Sequence, residues 1–243
     1  MKLLSEPQVS TESPCPYIEG RRWCFSYFFA LDVAAEELEI ILSRGWRKFG
    51  MYYFKPVCRE CRECIPIRVI TAELIPSKSQ RRVLKECRDV RVEFKDMEYR
   101  DEIFEIYKDH SLNRFNKESD EDDFRSSFYT RSCPAIQSEY FIGDTLAAVG
   151  FLDVSSDGLS SIYFIYKNEF TGYSLGTFSA LKESEYARSL GLKYYYLGFY
   201  IRDNPSMAYK NNFHINEKMN LDTGDWLRED CAIHIQHKQE QPD

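Results

Sequence analysis

At 243 residues, with 43% hydrophobic, 29% charged and 15% aromatic side chains, the chain carries enough apolar matter for a sizeable core in one large domain or two modest ones. That composition excludes collagenous, disordered and low-complexity classes, and a formal charge of −7 argues against a protein that coats bulk nucleic acid. No window approaches the ~18 apolar residues of a membrane span, and the leucines at 3 and 4 are far too short a run for a signal peptide, so a cytoplasmic protein with no membrane partner is expected.

Residues 1–14, rich in Ser, Thr, Pro and Glu, are expected to form a flexible leader. In LDVAAEELEIILSRG (31–45) the spacing of Leu31, Leu38, Ile41 and Leu42 predicts a helix, capped by Asp32 and ended by Gly45. WRKFGMYYFKPV (46–57) and PIRVITAEL (66–74) predict strands. Ser77 then predicts the cap of a helix on which Lys78, Arg81, Arg82 and Lys85, at i, i+3, i+4 and i+7, line one face. A second helix is expected over 99–115, and the acidic run ESDEDD (118–123) is expected to be a surface loop. From 139 onward, apolar runs broken at Gly143-Asp144 and at SSDG (155–158) predict two hairpins, followed by a helix from Ser174 to Gly191 and a strand over 193–199. The layout is α+β, a mainly antiparallel sheet flanked by helices.

Eight cysteines, at 15, 24, 58, 61, 64, 87, 133 and 231, read in a reducing compartment as free thiols, metal ligands or redox groups. The cluster CRECRECIPIR (58–68) offers three thiolates, Cys58, Cys61 and Cys64. A closed zinc site needs a fourth ligand, from Cys15 or Cys24, and the same set could hold an iron–sulfur cluster. The alternative is three thiols packed around the turn before Pro66. The four cations after Ser77 are either a solvated helix face or a phosphate-facing surface. The histidines (110, 214, 234 and 237) form no evident catalytic set, with His214 the one candidate for a site.

Three strands and a glycine-bearing turn into a helix are the layout of the acetyltransferase-type acyl-transfer fold, whose helix start holds the donor's phosphates. Here that segment is Tyr173-Ser-Leu-Gly176-Thr-Phe178, with one glycine and no Arg or Gln, which argues against coenzyme A as donor. The successive segments CPYIEGRRW (15–23), RGWRKFG (44–50), CRECRECIPIRV (58–69), PSKSQRRVL (76–84), SLGTFSAL (174–181), YYYLGFY (194–200) and SMAYKNNF (206–213) resemble the signatures of the arginyl- and leucyl-tRNA–protein transferases. The nearest likeness is to the bacterial branch that attaches leucine to N-terminal aspartate or glutamate. The sequence departs from the pattern at His214-Ile215, at the extra Cys24 and at LGFY, which bears on donor and acceptor more than on reaction class.

The resemblance implies an N-terminal transferase domain (15–95) with the cysteines and the basic segment, and an acetyltransferase-like C-terminal domain (96–243). It implies transfer of an aminoacyl group, leucine or else arginine, from aminoacyl-tRNA to the α-amine of proteins beginning with Asp or Glu, which marks them for degradation. No cofactor is required for that chemistry. A coenzyme A-type acyltransferase and a non-catalytic tRNA- or metal-binding module are the competing functions. Candidate catalytic residues are Lys210, Tyr209, Ser174 and Gly176, the last two through backbone N–H groups. Arg68, Arg81, Arg82 and Lys210 are candidates for the acceptor's carboxylate, Lys210 and Arg82 first, the alternative for each being a tRNA phosphate contact or an internal salt bridge. For tRNA the candidates are Lys78, Arg81 and Lys85, with Ser77 and Gln80 as further substrate-binding candidates and Tyr163, Tyr166, Tyr196, Tyr200 and Tyr209 as stacking platforms for the single-stranded end of tRNA. Cys15, Cys58, Cys61 and Cys64 are the candidate metal ligands.

Overall fold

The computed structural model describes residues 1–229; Cys231, His234 and His237 lie outside them. The chain begins with four two-residue strands, β1 (Lys2–Leu3), β2 (Gln8–Val9), β3 (Ser13–Pro14) and β4 (Arg22–Trp23), before the first long strand, β5 (Phe25–Leu31). Both β1 and β2 pair with β5, so part of the expected leader adds to a sheet edge. Helix α1 (Ala35–Ser43) follows, and its start corrects the expected cap. Asp32 takes a left-handed conformation outside the helix, while Ala34 occupies the cap and donates its N–H to the Glu37 carboxylate at 2.9 Å.

The expected strand over 46–57 is a hairpin of β6 (Arg47–Phe49) and β7 (Tyr52–Pro56). It turns at Gly50, whose φ is +53° and whose added Cβ would lie 2.2 Å from the Ser126 carbonyl oxygen, so no other residue fits. These strands form a five-stranded antiparallel sheet of order β1-β5-β7-β6, with β2 also on β5. Phe28, Leu38, Leu42 and Tyr53 fill the core beneath it.

Strand β8 (Ile65–Ile70) leads to α2 (Lys78–Glu86), which starts as expected. Ser77 Oγ accepts from Gln80 N at 3.3 Å, and Gln80 Oε1 accepts from Ser77 N at 2.8 Å. This reciprocal cap is worth about 1 kcal/mol. After β9 (Val90–Asp96) come α3 (Asp101–Phe115) and α4 (Glu121–Phe128). The acidic run is therefore largely a helix start. Asp120 caps it by accepting from Asp123 N at 2.9 Å, three carboxylates occupy its positive end, and buried Phe124 anchors it.

Strands β10 (Ala135–Ile142), β11 (Thr145–Val154) and β12 (Gly158–Tyr166) form the expected meander. They are followed by α5 (Leu175–Ser189), β13 (Tyr194–Tyr200), the short α6 (Pro205–Ala208), β14 (Asn216–Met219) and β15 (Trp226–Glu229). One eight-stranded sheet results, of order β15-β14-β8-β13-β12-β11-β10-β9. It takes β8 and β9 from residues up to 96 and the rest from beyond that position. Helix α5 covers one face through Phe178, Ala180, Leu181 and Ala187, and α3 and α4 cover the other through Ile103, Ile106 and Phe124.

Every neighbouring pair in this sheet is antiparallel except β12 and β13. Their parallel register holds only from Gly158↔Tyr194 to Ser160↔Tyr196. At that point each strand carries an extra residue against its other neighbour, Ile162 on β12 and Leu197 on β13. An extra residue bends a strand and increases its twist. Two bulges facing each other therefore pry the sheet open from its middle, and the backbone groups of β12 and β13 beyond them are left to side chains or to a ligand.

Candidate active site

The open seam between β12 and β13 receives side chains from three distant segments. Arg47, at the start of β6, donates from Nη1 to Ser160 Oγ at 2.8 Å and from Nη2 to the Ser161 carbonyl. Lys210 donates from Nζ to the Phe199 carbonyl at 3.1 Å and to Met207 Sδ at 3.2 Å. The two cations thus hold one splayed strand each. Gly198, with φ +91°, lies between them: an added Cβ would stand 3.5 Å from Lys210 Nζ and 3.6 Å from Arg47 Nε.

Burial, then the nearby Arg47 charge, brings the Lys210 ammonium down to about 7, with Cys64 opposing the fall. Burial likewise lowers Arg47 to about 10, against the attraction of Asp153. Asp153 itself is committed to Lys48, 3.0 Å away.

Aromatic side chains surround this seam. Tyr209 and Tyr163 both feel the Arg114 charge from the end of α3, and Tyr163 stacks against Phe128 with ring centres 5.4 Å apart. Tyr17, raised first by burial and then by Cys64 and Cys15, closes the other side, and its carbonyl is tied to Asn204 Nδ2 at 2.9 Å. At the far end of β12 a cavity of about 150 Å³ is lined by His110, Asn113, Arg114, Tyr166, Asn168 and Thr171. Arg114 donates to Tyr166 Oη there at 3.1 Å, and exposed Phe115 adjoins it. His110 is lowered to about 4 by burial and by Arg114, so it is neutral at physiological pH.

Helix α5 starts beside this cavity. Ser174 takes φ +52° and makes no side-chain cap, so the first amides of the helix are not answered by its hydroxyl. An added Cβ at Gly176 would meet nothing, which leaves the helix start open to a ligand.

Of the sequence candidates, the fold brings Lys210 and Tyr209 to the seam and Tyr163 and Tyr166 to its rim. It sends Tyr196, 2% exposed, into the core, where its hydroxyl donates to Glu39 at 2.6 Å and accepts from Arg68. Tyr200 is also buried, beneath the Lys218 ammonium. Arg68 is not at the site. Strand register sets it opposite both Tyr196 and Glu217, its Nε lies 2.7 Å from the Glu217 carboxylate, and its guanidinium sits 3.5 Å from the Tyr194 ring and 4.2 Å from that of Trp226. It is an internal brace for β13, β8, β14 and β15. Arg68→Ala is expected to leave Glu217 without its partner and to cost about 3 kcal/mol in chemical denaturation.

Lys78, Arg81, Arg82 and Lys85 are all exposed on α2, and among the described residues none of them pairs with a carboxylate. The opposite face of α2 packs through Val83, Leu84 and Cys87 on Leu175 and Phe178 of α5, and Gln80 Nε2 reaches the Asn212 carbonyl at 3.1 Å. The basic face is thereby fixed beside the start of α5.

Cys15 and Cys61 lie close enough to Cys58 and Cys64 to oppose the ionisation of those two thiols, after burial as the first cause. Cys64 rises to about 12, through burial first and then the neighbouring thiols. Among the described residues no group of three or more His, Cys, Asp or Glu is arranged to hold a metal ion. Cys24 is buried and donates to the Val57 carbonyl at 3.2 Å.

Arg47 escaped sequence reasoning, although it lies inside the quoted segment RGWRKFG. Its partners on β12 are more than a hundred residues away, and only the fold joins them.

Residues 13–82 match the family described as arginine-tRNA-protein transferase, N terminus, and residues 100–220 match its C terminus. An aspartate/glutamate leucyltransferase of Campylobacter jejuni is 30% identical over 215 residues, covering 85% of this chain and 89% of that one. One of Helicobacter hepaticus is 30% identical over 218 residues, covering 84% and 88%. Among solved structures, the crystal structure of FemX is similar in fold, with a TM-score of 0.50 at 10% identity; the match covers 71% of this chain but 63% of FemX, less than two thirds of its length. The two family matches together span most of the chain, in the order and over the segments that carry the seam, and the protein belongs to the arginine-tRNA-protein transferase family.

Proposed function

We propose that this protein transfers leucine from leucyl-tRNA to the N-terminal α-amine of proteins that begin with aspartate or glutamate, giving them a leucine end that directs their degradation. The observation that carries this assignment is the parting of β12 and β13 around Lys210 and Arg47, beside a helix start and a basic helix face. The names of the relatives support the donor and the acceptors.

The reaction is aminolysis of an ester. The acceptor nitrogen attacks the leucyl carbonyl, the bond to the terminal ribose oxygen breaks, and the proton lost by the amine ends on that oxygen. An α-amine with a pKa near ~7.7–8 is partly neutral at physiological pH, so holding the two reactants together supplies much of the rate. In this arrangement the α2 cations take phosphates of the acceptor arm. The terminal nucleotide lies against Tyr166, Arg114 and the cavity they line, where an aromatic face and a guanidinium suit a single-stranded end. The Ser174 N–H is committed to the Thr171 carbonyl at 3.4 Å, so it is the Gly176 amide in the first turn of α5 that faces the ester and stabilises the developing oxyanion. Tyr209 and Tyr163 wall the seam and exclude water. The thiols of Cys15, Cys58, Cys61 and Cys64 form part of the acceptor side through Cys64 and Tyr17, and a metal held there would brace that wall rather than carry the acyl transfer.

The test is a matrix of charged tRNAs against peptides that differ only at residue one. Leucine transfer from leucyl-tRNA to peptides starting with Asp or Glu is expected, with little or none from arginyl-tRNA. Transfer of arginine alone would replace the donor. Salt-dependent tRNA binding without turnover on any acceptor would reduce the protein to a binding module.

A further inference from the structure

Among the described residues neither cation of the seam is paired with an anion. Lys210 Nζ is held by a carbonyl and a thioether, Arg47 by a hydroxyl and a carbonyl, and every one of these partners is neutral. Asp153, whose charge Arg47 feels, is bound to Lys48. Around Gly198 the ammonium and the guanidinium converge on the same small volume, and the Arg47 charge disfavours that of Lys210.

Like charges are not gathered in a desolvated seam without expense, because each loses water and neither gains a counter-ion. An anion entering there would offset both penalties. Arg47 is 8% exposed and committed to β12, whereas Lys210 is only partly buried and spends two of its three N–H donors on the protein. The incoming group therefore meets Lys210 directly and Arg47 through its field.

We propose that Lys210, positioned and reinforced by Arg47, is the seat for the side-chain carboxylate of the acceptor's first residue, and so the determinant that restricts acceptors to acidic ends. This rests on the transfer activity assigned above and adds to it the group that reads the acceptor. A carboxylate suits the seam better than a tRNA phosphate. The exposed cations of α2 already offer a phosphate track, while the seam is narrow, walled by tyrosines, and lies where the amine must come to reach the ester. An ammonium on a flexible four-carbon stem also tolerates Asp and Glu alike, which differ by one methylene; a rigid guanidinium fork would favour one length.

The experiment measures kcat/KM for leucine transfer to peptides starting with Asp, Glu, Asn and Gln, using the wild type, Lys210→Met, Arg47→Met and Arg47→Lys. Wild type is expected to prefer the acids over the amides. Lys210→Met should lose roughly 100-fold on Asp and Glu, the usual scale for truncating a buried ion-pair partner, and much less on Asn and Gln, so that the preference for acids over amides collapses. Arg47→Lys, which keeps a charge over Gly198, should retain the acidic preference that Arg47→Met loses. An equal fall on acids and amides in Lys210→Met would overturn the assignment and move Lys210 to the donor or to the chemistry. Calorimetric titration of the wild type with Asp- and Asn-initiated peptides, without tRNA, reads the same point independently of any variant's folding: at least about tenfold tighter binding of the Asp peptide is expected, and equal affinity would overturn it. Failure of the wild type to transfer leucine to any acceptor would instead remove the activity assigned above.

Discussion

Replacing Lys78, Arg81, Arg82 and Lys85 together by alanine is expected to raise the KM for leucyl-tRNA roughly 10- to 100-fold at physiological salt, with kcat at saturating tRNA and the KM for the acceptor peptide little changed. The reason is electrostatic. A cation that neutralises a phosphate on a duplex releases a condensed counter-ion, contributing about 0.9 to the slope of log affinity against log salt. Four such contacts removed should flatten that slope by about 3 to 4 in tRNA titrations between low and physiological salt. Alanine is the best helix former and the four side chains project into solvent, so α2 should keep its cap and its seat on α5. A slope that stays the same in the variant would mean that α2 is an ordinary solvated face and that tRNA approaches elsewhere. The −7 overall charge makes this contrast sharp, because a protein of that sign must concentrate its attraction for nucleic acid in one place.

The start of α2 was legible in sequence because its cap is local: Ser77 and Gln80 satisfy each other across a single turn. The meander was legible for the same kind of reason, since each of its hairpin breaks is a short turn. Errors arose where a local signal had two outlets. Asp32 has the chemistry of a cap, but the chain turns through a left-handed residue there and Glu37 closes the helix from inside. The run at 118–123 has the composition of a loop, yet Asp120 caps a helix that Phe124 and Phe128 fasten to Tyr163 and Phe151.

Residues that reach the seam, Lys210 and Tyr209, were legible, but the seam itself was not. It depends on two bulges in strands that read as regular, and on Arg47 crossing from another sheet. Arg68 shows the converse: its segment and chemistry suit an acceptor site, but a central strand puts a carboxylate on one side of it and a tyrosine on the other, and nothing local announces either partner.

Glu183→Gln is expected to change how stability depends on pH rather than simply to lower it. Glu183 lies on the inner face of α5, 1% exposed, and its carboxylate accepts from Tyr195 Oη at 2.5 Å, Tyr140 Oη at 3.1 Å and Ser138 Oγ at 3.0 Å. Those three donors favour the ionised form, but burial outweighs them and raises the carboxyl to about 7. The unfolded chain would release this proton near pH ~4.3. Between those two values the folded state binds a proton that the unfolded state has lost, so stability must fall as pH rises through this window and level off above it. The total is on the order of 3 kcal/mol. Glutamine keeps the shape and cannot ionise, so the stability difference between wild type and Glu183→Gln should shift by that amount between about pH 4.5 and 7.5, in favour of the variant at the higher pH. Denaturant unfolding at a series of pH values measures it, and parallel curves would sink the idea. The geometry around the carboxylate leaves it little means of escape. A Cβ added at Gly150 would stand 2.4 Å from Ser138 Oγ and 2.5 Å from Glu183 Oε1, so the space that lets three hydroxyls reach one carboxylate exists only because β11 carries no side chain there. Because the same helix presents its first turn to the seam, strain released by moving Glu183 would be felt at the donor site. Gly150→Ala is accordingly expected to lose both stability and transfer, whereas Glu183→Gln, which preserves the packing, should retain transfer at neutral pH.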